Sequence, residues 1–225
     1  MYGILIHENK QMFKSIKALF VIAIFIITSY SIGSFVSNNL GTLEGAEGEY
    51  VSGLRFLVVF LGFFFVLLLN HDIVSKETST QTIRLLITKI SKTKIIASKF
   101  LALLFFWIFC LSVSLILISI IAQEWYWFPF IELFALLFYA NSVCVLISVV
   151  SRTTNFSMLL SLFVSVSIPI LGLWGVFSNN LFMNAVSFLF PFRYLVDYSH
   201  LLFIPYILGL VLFLMSIIIF RKEEY

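Results

Sequence analysis

The chain has 225 residues, of which 61% are hydrophobic and only 11% carry a charge. This composition excludes an ordinary soluble domain, in which about 25% of residues are charged. The formal net charge of +3 is small and unevenly distributed, so it does not indicate nucleic-acid binding. We therefore expect an all-α integral membrane protein that contacts the lipid bilayer and no nucleic acid.

In chain order, residues 1–17 alternate apolar and charged side chains with helical spacing, which predicts an amphipathic helix on the membrane surface where the chain begins. Residues 18–225 are predicted to form one transmembrane domain, because their apolar runs approach the roughly 20 residues that cross a bilayer. Six spans are predicted, at 18–36, 54–69, 96–122, 131–150, 156–177 and 201–220. The first span leads into an acidic, glycine-rich loop at 37–53 that has no basic residue.

A basic loop at 70–100 is the longest polar interruption between these spans. It holds six of the fourteen Lys and Arg residues: Lys76, Arg84, Lys89, Lys92, Lys94 and Lys99. Such clusters are retained on the cytoplasmic side during insertion. The predicted topology leaves only Arg55 and Arg193 of these fourteen outside, so both chain termini are expected to be cytoplasmic.

Part of this loop has the pattern of an amphipathic helix. Four apolar residues recur at helical spacing on one face: Ile83, Leu86, Ile87 and Ile90. The opposite face carries Gln81, Arg84, Thr88, Ser91 and Lys92. The pattern predicts a short helix at 79–92 along the membrane surface, which either docks a partner or merely anchors the loop.

The same loop places an acid, a Thr, a Leu pair, Ile-Ser-Lys and a later Lys in order, at Glu77, Thr82, Leu85, Leu86, Ile90, Ser91, Lys92 and Lys99. This order resembles the cytoplasmic segment of ABC-2 type permeases, the membrane subunits of ABC exporters. Gln81 stands where that family usually has Gly, and Lys89 where it often has Pro. The resemblance implies that 79–92 is a coupling helix for a cytoplasmic ABC ATPase, with coupling residues Glu77, Thr82, Arg84, Leu85, Leu86, Ser91 and Lys92.

Residues 178–200 interrupt the apolar pattern with Asn, Pro, Arg and Asp, which predicts an outer re-entrant segment. Its Pro191, Arg193 and Tyr194 resemble the Pro-x-Arg-Tyr stretch that precedes the last span in the same family. We assign these three residues and Glu132 to an outer gate. Glu132 either pairs with Arg193 or is a solvated carboxylate at the membrane boundary.

Polar side chains inside the spans are few. Ser157, Ser161 and Ser165 recur every four residues, and Asn141 lies in the middle of another span. These four residues are candidates for a translocation path. The alternative for the serines is close helix packing, because small residues in this register let helices approach in a bilayer.

The sequence has no G-x-x-x-x-G-K-[ST] phosphate loop, so ATP and Mg²⁺ are expected in a partner subunit and no cofactor in this chain. It has no catalytic motif either, and we do not expect an enzyme. The resulting hypothesis is an exporter permease of the bacterial cytoplasmic membrane that works with an ATPase and a second permease subunit, identical or homologous, and moves amphipathic peptides or other lipid-seeking compounds. The alternatives are the membrane substrate-binding module of an importer, and an ABC permease for lipids or drugs.

Overall fold

A computed structural model describes residues 6, 8–10, 13, 20, 21, 23–28, 30, 31, 49–123, 125–178, 180–196 and 201–223. Within these residues all regular secondary structure is helical, and the predicted all-α class is confirmed for them. The predicted helix at 1–17, span at 18–36 and loop at 37–53 lie partly or largely outside the described residues. The described positions between 20 and 31 are helical.

From residue 49 onward the described part of the chain forms nine helices. They are α1 (Glu49–Asn70), α2 (Ser75–Ser79), α3 (Thr82–Lys89), α4 (Lys92–Ala122), α5 (Trp127–Val150), α6 (Thr154–Phe177), α7 (Leu181–Ser187), α8 (Phe192–Val196) and α9 (Phe203–Lys222).

Five stretches of the described chain are long and apolar enough to cross a membrane. They are Gly53–Ser79, Lys92–Ile120, Trp127–Val150, Thr154–Phe177 and Phe203–Lys222. They overlap the second to sixth predicted spans, and the predicted first span falls in the sparsely described part of the chain. The structure therefore agrees with a helical membrane protein that has five candidate membrane-spanning helices among the described residues, and the six-span count stays a prediction.

Local signals explain several helix ends. The Thr153 side chain accepts a hydrogen bond from the Phe156 backbone N–H at 3.4 Å and caps α6. The Asn180 side chain caps α7 in the same way through Phe182 N–H at 3.1 Å. Pro129 lies in the first turn of α5, where a proline is tolerated because that N–H has no helical acceptor.

Helix α5 lies at the centre of the bundle, and 78% of its span is buried. A large cluster of buried side chains joins α5 to α1 and α4. A second cluster, called here the end cluster, lies where the loop helices meet the ends of the spans. Its buried members are Ile73, Val74, Ile83, Ile95, Ile96, Phe100, Leu103, Leu104, Val145, Val149 and Phe220.

Candidate functional site

The loop helix α3 is seated on the end cluster by the predicted apolar face. Ile83 is buried among the cluster's side chains, and Leu86, Ile87 and Ile90 pack against it. The cluster also contains residues of α4, α5 and α9. Because packed interiors are nearly incompressible, a movement of α3 must displace the ends of those three helices.

The other face of α3 is open. Leu85 is 70% exposed, although it adjoins the buried Ile83 and the partly buried Leu86. Arg84, Thr88 and Lys89 are also exposed. This outward face combines one apolar anchor with two basic groups, a composition suited to a protein partner.

Helix α3 is shorter than the predicted 79–92. Residues 75–79 form the separate helix α2, and Ile90 is extended, with φ −142° and ψ 141°. Ser91 and Lys92 therefore lie at the start of α4 rather than on α3. Lys92 Nζ donates to the backbone carbonyls of Arg221 at 3.3 Å and Glu223 at 2.5 Å, where a cation complements the carbonyl end of α9.

The turn between α2 and α3 depends on Gln81. This residue has a left-handed backbone, with φ 58° and ψ 8°, a conformation that favours glycine. The family that the loop resembles usually has Gly at this position, so the turn that a glycine would allow is present here with Gln. Thr82 follows the turn and its hydroxyl donates to the Glu77 carbonyl at 3.3 Å.

We expect Gln81→Gly to keep the fold and to raise the stability of the turn by about 1 kcal/mol, because a left-handed conformation costs an L-residue about 1–2 kcal/mol. Gln81→Val is expected to be destabilising, since a β-branched residue tolerates positive φ poorly. Thermal unfolding of both purified variants measures the difference. Equal melting temperatures for Gly and Val would contradict the left-handed turn.

A buried ionic cluster fastens α2 to the bundle. Lys99 on α4 is 1% exposed, and its Nζ donates to Glu77 Oε1 at 2.8 Å and to Glu8 Oε1 at 2.7 Å. Two of these residues, Glu77 and Lys99, belong to the motif that resembles the cytoplasmic segment of ABC-2 permeases. Glu8 was not predicted as a site residue, because nothing in its local sequence indicates a partner 91 residues away.

Two serines hold the segment between α1 and α2 against the spans. The Ser148 hydroxyl of α5 accepts hydrogen bonds from the backbone N–H groups of Val74 at 2.9 Å and Ser75 at 3.1 Å. The Ser157 hydroxyl of α6 donates to the His71 carbonyl at 2.5 Å. The loop that carries α3 is thus bonded to three spans, α4, α5 and α6.

The predicted outer segment 178–200 contains the helical pair α7 and α8 in its described part. Arg193 is 8% exposed, and its Nη1 donates to the Asn184 carbonyl and to Ser187 Oγ, at 2.8 and 2.7 Å. The same nitrogen contacts Asn184 Oδ1, and the guanidinium lies 3.8 Å from the centroid of the Phe188 ring. Arg193 therefore holds the two short helices together.

The residues beside Arg193 pack α7 and α8 against the bundle. Pro191 is buried, and the ring of Phe192 packs in a tilted arrangement against the ring of Phe63 on α1, with 5.6 Å between the centroids. The Tyr194 hydroxyl donates to the Phe188 carbonyl at 2.9 Å. Burial raises the pKa of the Tyr194 phenol, against a smaller opposing effect of Arg193, so the phenol remains a donor.

Glu132 has a different environment from the two that were predicted. It is 3% exposed, so it is not a solvated carboxylate, and it forms an ion pair with Arg55 of α1. Arg193 has the separate set of partners described above. A carboxylate this deeply buried needs a nearby cation, and α1, which packs beside α5, supplies it.

The four candidate residues of the translocation path are all buried. Asn141 is fully buried and its amide donates to the Leu137 carbonyl at 2.8 Å within α5. Ser161 and Ser165 lie with Ser157 on the buried face of α6. These positions favour the helix-packing alternative, and a path along the serines stays a prediction.

No protein-family model and no curated protein matches this chain. Among the described residues there is also no group of three His, Cys, Asp or Glu side chains that could hold a metal ion. Functional assignment therefore depends on the geometry of the basic loop.

Proposed function

We propose that the chain is the membrane-spanning permease subunit of an ATP-driven exporter, similar to the ABC-2 type. One observation carries the proposal: α3 is seated by Ile83 on a cluster shared with three long helices, while Leu85 is left exposed on its outer face. A helix that only anchors the loop needs the buried apolar face and no exposed apolar residue on the opposite face. The exposed apolar anchor between basic residues adds a docking surface.

In the proposed mechanism the ATPase subunit binds ATP and Mg²⁺ and moves α3 when it closes. The movement is transmitted because α3 shares the end cluster with α4, α5 and α9. The hydrogen bonds from Lys99 to Glu77 keep α2 attached to α4 during this movement. The spans then tilt together and change access to the cargo.

The exposed apolar surface of the long helices supports the other proposed partners, lipid and a second permease subunit. Only 28% of the α6 span and 22% of the α9 span are buried within the chain, so their apolar faces need lipid or a second permease subunit. The proposed topology, with α3 and both termini in the cytoplasm of a bacterial cell, is supported by the charge rule for insertion, because the basic residues concentrate in this loop. The resemblance to ABC-2 permeases favours a pair of permeases, identical or homologous, with two ATPases.

The proposed cargo is an amphipathic peptide or a similarly lipid-seeking compound. The spans offer mainly Leu, Ile, Phe and Val with a few hydroxyls, and a hydrophilic ion would lose its hydration there at a cost of several kcal/mol. An amphipathic cargo avoids this cost because it already partitions into the interface. An importer module and a permease for lipids or drugs are the alternative hypotheses.

We expect Leu85→Asp to abolish binding of the proposed ABC ATPase partner while the permease remains folded. The reason is that Leu85 is the exposed apolar anchor and supports no internal packing. Co-purification of the tagged permease with that ATPase measures the effect, and a loss of at least tenfold in recovered ATPase is expected. Leu86→Asp is the matched variant, since Leu86 faces the end cluster.

The two variants distinguish binding of the ATPase to α3 from packing of α3 against the end cluster. Leu86→Asp should lower the melting temperature, whereas Leu85→Asp should leave it within about 1 °C, because exposed substitutions change stability by less than about 0.5 kcal/mol. Full recovery of the ATPase with Leu85→Asp would refute α3 as its docking site.

The cargo hypothesis is tested on the reconstituted complex in proteoliposomes. Amphipathic peptides are expected to raise ATP turnover several-fold, with Leu85→Asp as the uncoupled control. Stimulation by sodium or a sugar, and by no peptide, would reject the peptide-export proposal.

A further inference from the structure

A pocket of about 150 Å³ lies where α4 ends and α5 begins. It is lined by Ser112, Leu115, Ile116, Ser119, Trp125, Tyr126, Trp127 and Phe130. Apolar side chains form most of the lining. None of the predicted coupling, gate or path residues contributes to it.

Ser119 gives the pocket a specific chemistry. Its side chain is 92% buried, and its hydroxyl has no hydrogen-bond partner among the described residues. Ser98 and Ser114 on the same helix behave differently, since each donates to the carbonyl four residues earlier, at 2.6 and 2.9 Å. A buried hydroxyl without a partner costs about 1–3 kcal/mol, so Ser119 indicates a ligand that supplies the missing acceptor or donor.

The depth of each group along the helix indicates which ligand fits. Trp125 and Trp127 are two-thirds exposed and lie with their rings 5.5 Å apart, as expected at the level of lipid headgroups. Ser119 precedes the end of α4 by three residues, roughly 4.5 Å along the helix axis. Leu115 and Ile116 lie about one turn deeper. The order is therefore aromatic rings, the Ser119 hydroxyl, then a mainly apolar wall that also includes Ser112.

This order matches a glycerolipid, whose polar headgroup, ester carbonyl and acyl chain follow one another toward the bilayer centre. We propose that the pocket binds one glycerolipid, with an ester carbonyl accepting a hydrogen bond from Ser119 and the first part of an acyl chain filling the space beside Leu115. An apolar cavity of about 150 Å³ holds a benzene molecule, so a segment of about six carbons fits. The site is independent of the exporter proposal, because it shares no residue with α3.

Water is a poorer occupant than lipid. A buried water needs two to four polar partners, and apart from two serines and Tyr126 this lining consists of Leu, Ile, Trp and Phe side chains. A peptide cargo could also present a carbonyl to Ser119, so the test separates a lipid from a peptide.

The test uses the purified full chain and native mass spectrometry. The probes are a phosphatidylglycerol with two ester-linked oleoyl chains and its ether-linked analogue, which lacks the carbonyl acceptors. Wild-type protein is expected to retain the ester lipid about fivefold better than the ether lipid, the effect of one hydrogen bond of about 1 kcal/mol. Ser119→Ala should abolish this preference.

Ser114→Ala is the matched control, because its hydroxyl is paired within α4, and it should keep the preference. Ser119→Leu fills the pocket and should remove the tightest-bound lipid of either kind. If that variant does not fold, Ser119→Ala alone decides the matter. The site would be overturned if wild type and Ser119→Ala preferred the ester lipid equally. It would also be overturned if Ser119→Leu kept all its bound lipid but no longer bound amphipathic peptides.

Discussion

Replacing Lys99 by methionine is expected to destabilise the folded chain by about 3–5 kcal/mol, the usual effect of breaking a buried ion pair by removing one partner. Lys99 is 1% exposed and donates to both Glu8 and Glu77. Methionine fills a similar volume, but it leaves two carboxylates without their shared cation. The melting temperature in detergent measures the effect, and hydrogen exchange at 75–89 shows whether α2 and α3 loosen.

Lys94→Met is the matched control, because Lys94 is exposed on the same helix and its replacement should change stability by less than about 0.5 kcal/mol. Adding Glu77→Gln to Lys99→Met should recover part of the loss, since one of the two unpaired charges is removed. If Lys99→Met and Lys94→Met unfold at the same temperature, the buried ionic cluster does not exist as described.

The sequence predicted the helical class, and five of its predicted apolar segments overlap helices long and apolar enough to cross a membrane, because apolar run length is a strong signal. Helix starts were less accurate. The fifth helix begins at Trp127 rather than 131, since the sequence QEWYWFPF was interpreted as a boundary while its last four residues already belong to the helix. Interfacial aromatic residues and a proline can occur either in a boundary loop or in the first turn of a helix, so the sequence did not distinguish the two.

The apolar face of α3 was also predictable, because periodicity shows which residues share a side. The limits of the helix were not. Gln81 adopts a left-handed conformation that is not expected for its residue type, and the helix ends at Lys89, three residues before the predicted limit, because Ile90 is extended.

Partners across the bundle were beyond the sequence. For Glu132 the sequence suggested either a pair with Arg193 or a solvated carboxylate at the membrane boundary, yet it is buried and pairs with Arg55, 77 residues away along the chain. Periodicity identifies a face of a helix but not the neighbour that the face meets. Glu8 and Ser148 were missed for the same reason, since each acts through a contact that only the fold creates.

The short helices α7 and α8 depend on close approach at two glycines of α6. A Cβ atom at Gly175 would lie 2.7 Å from Ser187 Cβ and 2.9 Å from the Met183 carbonyl oxygen. At Gly172 it would lie 2.4 Å from the Phe192 ring. These distances are shorter than van der Waals contact, and the Gly175 contacts involve backbone or Cβ atoms that cannot move alone.

Gly175→Ala is therefore expected to destabilise the chain by about 1–3 kcal/mol, the cost of overpacking a filled interface, even though alanine favours a helix. It should also push α7 away from α6 and with it Ser187, a hydrogen-bond acceptor of Arg193. Faster hydrogen exchange over 181–196 and a lower melting temperature measure the two effects.

The matched substitution is Gly62→Ala in α1, another glycine inside a long helix. Its Cβ would meet Val58 Cγ1 at 3.3 Å and two leucine methyl groups at 3.7 Å, so only a flexible side-chain end must adjust. Here the gain in helix propensity, about 1 kcal/mol, should outweigh the contact and raise the melting temperature. The two Gly→Ala changes are thus expected to have opposite signs, and a stabilising effect at Gly175 would mean that α7 does not pack against α6 at this distance.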